Sequence, residues 1–255
     1  MGLFYADTGG VRGRPGPRKS IVPTSASVKQ NLELIWEKRC EVCPLDKCEK
    51  TLTNPKMKAT GAKRPVLYIL GEAPGETEDQ RGEQFIGRSG QLLRDHLPDW
   101  LEKKTRWNNV VRCRPQNNRN PDRLEIEACR PWIEEDIEKS KPRIILLLGK
   151  VPISWALQHD GSVENWRGRA IPVQIGKHKC WAVASFHPAY ILRVEGGKEV
   201  KLSGSNNKKV SGKEIKTLFI RDIQLMEKIA KDSQPFCDFF HQLNVSDKKG
   251  LYFFS

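Results

Sequence analysis

The sequence predicts an α/β fold, a three-layer α/β/α sandwich around a central, mainly parallel four-stranded sheet. Three observations carry that reading. Apolar runs of strand length, "PVLYILG" (Pro65–Gly71), "RIILLLG" (Arg143–Gly149) and "CWAVASFHP" (Cys180–Pro188), are nearly continuous rather than alternating, as strands buried on both faces require. Segments of helical periodicity lie between them, the pattern that winds a parallel sheet with helices on both faces. Polar segments follow the strand candidates, and such sheets bind ligands at the carboxyl ends of their strands.

In chain order, residues 1–25 contain "VRGRPGPRKSIVPTS" and read as a basic flexible arm. A helix from Ser27 to Lys38 places Leu32, Ile35 and Trp36 on one face. The cysteine-dense loop "RCEVCPLDKC" and a lysine-rich connection over 50–64 lead into the first strand, Pro65–Gly71. "SGQLLRDHLPDWLEK" is a helix with Ser89 as its cap and Leu92, Leu93, Leu97 and Leu101 as its core stripe. "NNVVRCRP" holds a short strand, and "NPDRLEIEACRPWIEEDIEKSK" a helix interrupted near Pro131. Arg143–Gly149 is the clearest buried strand, followed by the helix "VPISWALQH", the short strand "IPVQI" and the strand beginning at Cys180. Between Ile191 and Lys216 the chain is rich in Gly, Ser, Asn and Lys and reads as a solvated insertion. "KEIKTLFIRDIQLMEKIAKDS" is a long amphipathic helix, closing a domain over 26–232; residues 233–255 form a tail without clear period.

Length suits one large domain with its own core. Lys and Arg outnumber Asp and Glu by 44 to 31, a net charge of +13, which points to a polyanionic partner such as nucleic acid. No apolar run approaches the ~18 residues of a membrane span, so no membrane partner is expected. The start lacks the basic and apolar regions of a signal peptide, and Ala6 excludes a myristoylation motif on Gly2. An intracellular, reducing location, cytoplasmic or nucleoid-associated, and a monomer are the expectations. The loop "GEAPG" spaces Gly71 and Gly75 wrongly for a dinucleotide fingerprint, and no G-K-[ST] phosphate loop occurs.

Seven cysteines without a secretion signal suggest free or metal-bound thiols. Cys40 and Cys43 form C-x₂-C, able to grip a metal from one tight loop; Cys113 and Cys129 would complete four ligands, and Cys48 could replace one. Spacing alone admits zinc or an iron–sulfur cluster. Cys180 lies in a strand and reads as a core thiol.

"GEAPGETEDQRGEQFIGRSGQLL" (Gly71–Leu93) resembles the first motif of the uracil-DNA glycosylase superfamily, in its iron–sulfur (family 4) branch. "NNVVRCRPQNNRNP", "EACRPWI" and "FHPAYILR" resemble further motifs of that branch, in order and in register. The resemblance spans about Cys40 to Arg193 and the final helix. It implies a [4Fe–4S] cluster of structural role on Cys40, Cys43, Cys113 and Cys129, with zinc as the second reading, and removal of uracil from DNA; a catalytically weak nucleic-acid-binding protein of the same fold, or a glycosylase for another modified base, are the alternatives. Gln116 stands where the branch commonly has proline after "CRP", and "QFIG" replaces "PFVG". These departures bear on substrate range more than on fold.

Under that resemblance the motif residues acquire chemical parts. A base must leave the helix stack before its glycosidic bond can be reached. Phe85 is the stacking candidate. Asn109 is the edge reader, since one amide can donate to O4 and accept from N3–H of uracil, and cytosine reverses both. Asn118 assists or orders its loop. Bond cleavage leaves negative charge on the base, and His187, directly after a buried strand, can donate to O2. Backbone groups of the loop carrying Gly71 and Ala73 add donors. Glu72 is the first choice for the carboxylate that stabilises the sugar cation and holds water; Glu78 and Asp79 are alternatives, with helix capping as their bland role. Tyr190, Ile191 and Leu192 offer a wedge for the vacated stack, and Arg193 a phosphate contact.

Overall fold

The computed structural model describes residues 26–46, 52–195, 199–201 and 209–231. The basic arm, Cys48, Cys237 and the tail lie outside the described residues.

Helix α1 (Ala26–Lys38) precedes a two-residue strand β1 (Thr60–Gly61) and the first long strand β2 (Leu67–Gly71). Three short helices follow, α2 (Glu76–Arg81), α3 (Arg88–Arg94) and α4 (Asp99–Glu102), then β3 (Thr105–Asn109). Helix α5 (Arg123–Ser140) leads to β4 (Ile144–Leu148), α6 (Lys150–Leu157), α7 (Val163–Trp166), and the antiparallel pair β5 (Ala170–Ile175) and β6 (His178–Ser185). Helix α8 (Pro188–Val194), the ribbon β7 (Val200–Lys201) with β8 (Lys209–Val210), and α9 (Gly212–Lys231) complete the chain.

The sheet runs β1-β3-β2-β4-β6-β5, so it has six strands, not the four expected. Its centre, β3-β2-β4-β6, is the parallel four-stranded core; β1 and β5 pair antiparallel at the two edges. A two-residue strand leaves no periodicity to read in sequence. β2 and β4 are buried at every position, and alternate residues feed opposite faces. Tyr68, Leu70, Ile145 and Leu147 join the cluster that includes Ile133 and Ile137 of α5, whereas Leu67, Ile69, Ile144, Leu146 and Leu148 join Phe219, Ile223 and Met226 of α9. That division of the core is what makes the sandwich three-layered.

Local differences from the sequence reading have physical causes. The strand expected within "NNVVRCRP" ends at Asn109; Val110 and Val111 lie beyond it, fully buried, with their N–H groups bonded to the carbonyls of Gly71 and Glu72. The helix expected to start at Ser89 begins at Arg88 behind Gly87, and Pro98 divides it from α4. Helix α5 runs through Pro131 without interruption, held at its start by a capping box between Asp122 and Glu125. Part of the insertion expected to be solvated forms the β7–β8 ribbon, where Val210 is buried. Among the described residues no helix is long and apolar enough to cross a membrane.

Candidate active site

The register sets the site. Gly71 of β2 pairs with Asn109 of β3, Leu70 with Leu147 of β4, and Leu148 with Ser185 of β6. The parallel strands therefore end nearly level, and the segments "GEAPG", "RCRPQNNR" and "FHPAYILR" follow at that edge.

Gly71 is the hinge of the arrangement. A Cβ added there would fall 2.3 Å from Asn109 Oδ1 and 2.6 Å from Phe85 Cζ, so the amide and the ring converge on the face that glycine leaves bare. Phe85 is buried, holds a left-handed backbone at φ 57°, and packs on Trp107 at 5.5 Å between ring centroids. Arg94 fastens this turn. Its Nε donates to the Phe85 carbonyl at 3.2 Å, and its guanidinium lies over Trp107.

Asn109 is held at both ends. Its backbone N–H donates to Asn108 Oδ1 at 2.9 Å, and Asn108 donates in turn to the Tyr68 hydroxyl. That hydroxyl donates to Asp136, which also takes a bidentate pair from Arg106. The side-chain Nδ2 of Asn109 donates to Gln84 Oε1 at 2.7 Å. The sequence marks Gln84 only as the first residue of "QFIG", without a role; the fold buries it fully.

On the other side of β2, His187 caps α8, its Nδ1 accepting the Ala189 N–H at 3.1 Å. The proton of the neutral ring is thereby placed on Nε2, which is left as a donor. Burial, with help from Arg193, lowers its pKa to about 4, so the imidazole is neutral at neutral pH. The unfolded chain binds this proton more readily, so the stability His187 contributes is present above its ordinary pKa near 6.5 and is lost as pH falls toward 4. Gly149, at φ 89°, lets β4 pass close behind it: a Cβ there would lie 3.2 Å from His187 Cβ. Glu72 follows Gly71 and is half-buried; burial raises its pKa and Arg193 opposes the rise. The Arg193 charge thus reaches both Glu72 and His187.

Other residues singled out in the sequence are placed differently. Glu78 is buried and accepts the Gly87 N–H at 2.8 Å, and Asp79 is buried and accepts the Thr53 and Asn54 N–H groups at 3.2 and 3.1 Å. Both carboxylates fasten loops to α2. Asn118 is exposed, and its Oδ1 accepts from Arg114, which also faces Glu76 at 3.7 Å. Ala73 is half-buried against the core. Ile191 is a correction: it is fully buried beneath α8, because the helix turns that face into the core, so it is not free to act as a wedge. Tyr190 and Leu192 keep partial exposure and Arg193 is exposed.

Cys40, Cys43, Cys113 and Cys129 line one pocket with Lys56 and Arg112. The backbone N–H of Lys56 lies 3.2 Å from the Cys113 sulfur and that of Arg112 3.4 Å from the Cys129 sulfur. Burial raises the Cys43 thiol to about 11 and the Cys129 thiol to about 12, so thiolates there need a compensating cation. Among the described residues, no three His, Cys, Asp or Glu side chains are gathered as a single metal ion would need. Cys180 is a buried core thiol, as expected.

A mainly parallel sheet covered on both faces, with polar and aromatic side chains near the carboxyl ends of its strands, is the architecture in which α/β proteins place their ligands. The pattern of the uracil DNA glycosylase superfamily matches residues 58–209. The type-4 uracil-DNA glycosylase of Pyrobaculum aerophilum is 34% identical over 162 residues, 61% of this chain and 81% of that protein. The type-4 uracil-DNA glycosylase of Archaeoglobus fulgidus is 30% identical over 188 residues, 70% of this chain and 94% of that protein. That of Thermotoga maritima is 34% identical over 169 residues, 64% and 83% respectively. The chain belongs to the uracil DNA glycosylase superfamily, in its type-4 branch.

Gly71→Ala tests the convergence at β2. Forcing a methyl into the space shared by Asn109 and Phe85 should destabilise the chain by about 1–3 kcal/mol, read as a lower denaturation midpoint with unchanged slope. A wild-type midpoint would mean that the two side chains are not packed against Gly71.

Proposed function

We propose that this chain removes uracil from DNA by hydrolysing its N-glycosidic bond, leaving an abasic site in the first step of base-excision repair. The convergence of Asn109 and Phe85 on Gly71, in a chain of the type-4 branch, is the observation that carries the reading. Uracil swings out of the stack and enters with one face toward Phe85 and its O4/N3 edge toward Asn109. The neutral His187 donates a hydrogen bond from Nε2 to O2 and keeps its proton as the base departs as an anion, a donor commonly lowering the barrier by ~3–4 kcal/mol. Glu72, ionised, stabilises the cationic sugar and orients the attacking water: the water oxygen bonds the sugar C1′ as the C1′–N1 bond breaks, Glu72 takes the water's proton, and that proton ends on the uracil anion. Arg193 binds a backbone phosphate, with Tyr190 and Leu192 at the vacated stack. The basic surplus adds salt-dependent affinity for DNA.

Cys40, Cys43, Cys113 and Cys129 would hold a [4Fe–4S] cluster, supplying structural cross-linking of α5, the β3 end and the loop after α1. The donor set fits: four thiols around one pocket, N–H donors to two sulfurs, and Arg112 and Lys56 to balance charge. A single tetrahedral zinc asks for sulfurs only ~3.8 Å apart. The purified chain should contain iron and inorganic sulfide in equal amounts, with visible absorbance lost in Cys129→Ser. Zinc without iron would overturn the assignment.

On single-stranded oligonucleotides carrying U, T or hypoxanthine, alkali-labile breaks should form at U. His187→Ala should lower kcat by about 10²–10³ with DNA affinity nearly intact. No break at any base, or wild-type turnover in the variant, would remove the reading or the residue. Glu72 must be ionised to act, so kcat/KM should fall on the acid side at a pH above the ordinary carboxylate range. Glu72→Gln should be slow and lack that limb; a variant keeping the same limb would reassign it.

A further inference from the structure

Gln84 is fully buried, and a buried amide must pair both its ends. Its Nε2 faces the Lys58 carbonyl at 3.4 Å, and its Oε1 accepts from Asn109 Nδ2 at 2.7 Å. The order of this relay is forced by its origin. A peptide carbonyl only accepts, so Gln84 must turn Nε2 toward it and Oε1 toward Asn109. Asn109 must then turn Nδ2 toward Gln84, which leaves Oδ1 on the Gly71 side, where a Cβ would lie 2.3 Å from it.

The turn that carries Gln84 is itself fixed. Phe85 has its left-handed backbone, Arg94 reaches both the Gln84 and Phe85 carbonyls at 3.5 and 3.2 Å, and Gly90 packs so closely that a Cβ would fall 2.0 Å from the Phe85 oxygen. Gln84 opens the stretch "QFIG", so the relay and the ring that follows it are written side by side in this chain's sequence.

We propose that Gln84 is a specificity-determining positioning residue: by anchoring one N–H of Asn109, it holds the amide in the one orientation that reads uracil and rejects cytosine. This rests on the uracil-excising reading above. An Asn amide carries two N–H groups. Gln84 takes one, and the other, with Oδ1, forms a donor–acceptor pair matching O4 and N3–H of uracil. Cytosine presents an amino donor and a bare N3, and matches only the amide turned over. Turning it over would set the Asn109 oxygen against the Gln84 oxygen, with neither able to donate. The discrimination that Asn109 makes is thus enforced from behind, by a main-chain carbonyl acting through Gln84.

The test compares single-turnover excision of U and of C from otherwise identical single-stranded oligonucleotides by the full chain. Gln84→Met, close in length but without an acceptor, should lower uracil excision and raise the cytosine-to-uracil ratio at least about tenfold. Gln84→Glu, which keeps an acceptor facing Asn109, should return the ratio toward wild type. A merely structural role for Gln84 would shift the melting temperature and leave the ratio alone. An unchanged ratio in an active Gln84→Met overturns the proposal. Should that variant not fold, side-chain amide NMR of the wild-type chain decides: one Asn109 proton protected from exchange supports the relay, and two exchanging alike overturn it. Wild-type chain inert on U would instead overturn the excision reading, leaving the NMR result to judge the relay on its own.

Discussion

A missing side chain organises this site. Gly71 ends the central strand β2 at the level of Asn109, and the space where its Cβ would stand is shared by the Asn109 amide and the edge of Phe85. A side chain on Gly71 would collide with both groups, so the amide and the ring can come together here only because the end of the strand is bare. The rest of the fold holds that bare position steady: β2 and β4 are buried throughout, with helices covering both faces.

The polar groups at these strand ends are each pinned by neighbouring side chains or main chain. Asn109 is fixed through Asn108, Tyr68 and Asp136 along the backbone and through Gln84 at the side chain. His187 is fixed by capping its own helix, which also dictates which ring nitrogen keeps the proton. Behind the same strand, Asp222 of α9 accepts from Ser185 and makes a bidentate pair with Arg167, tying the end of β6 to the helical layer. Preorganisation of this sort matters because a donor aimed at developing charge contributes most when it need not reorient during reaction.

Much of this was legible in the sequence, for identifiable reasons. Buried parallel strands leave long apolar runs, so β2, β4 and β6 were plain, and of the residues the motifs singled out Phe85 and Asn109 meet at Gly71 while His187 follows β6 as a helix cap. The edge strand β1 was not legible, since two residues carry no period. Val110 and Val111 drew the β3 reading past its true end because burial beyond a strand looks the same in sequence as burial within it. Hydrophobicity could not separate Ile191 from Tyr190 and Leu192, because which face of a short helix meets the core is a matter of its docking angle. Glu78 and Asp79 read as possible catalytic acids, and only the fold brings to them the backbone N–H groups of Gly87, Thr53 and Asn54. Gln84 showed only as a departure from "PFVG", and its part could not be read, because its partners, Lys58 and Asn109, lie 26 and 25 positions away in the chain.

A crystal structure of the chain with DNA holding an abasic site and free uracil would test the central claim most directly. The account expects the base stacked on Phe85, its O4 and N3 within hydrogen-bond reach of the Asn109 amide, and its O2 facing His187 Nε2. Uracil bound elsewhere, or seated with its O2 edge toward Asn109, would contradict it.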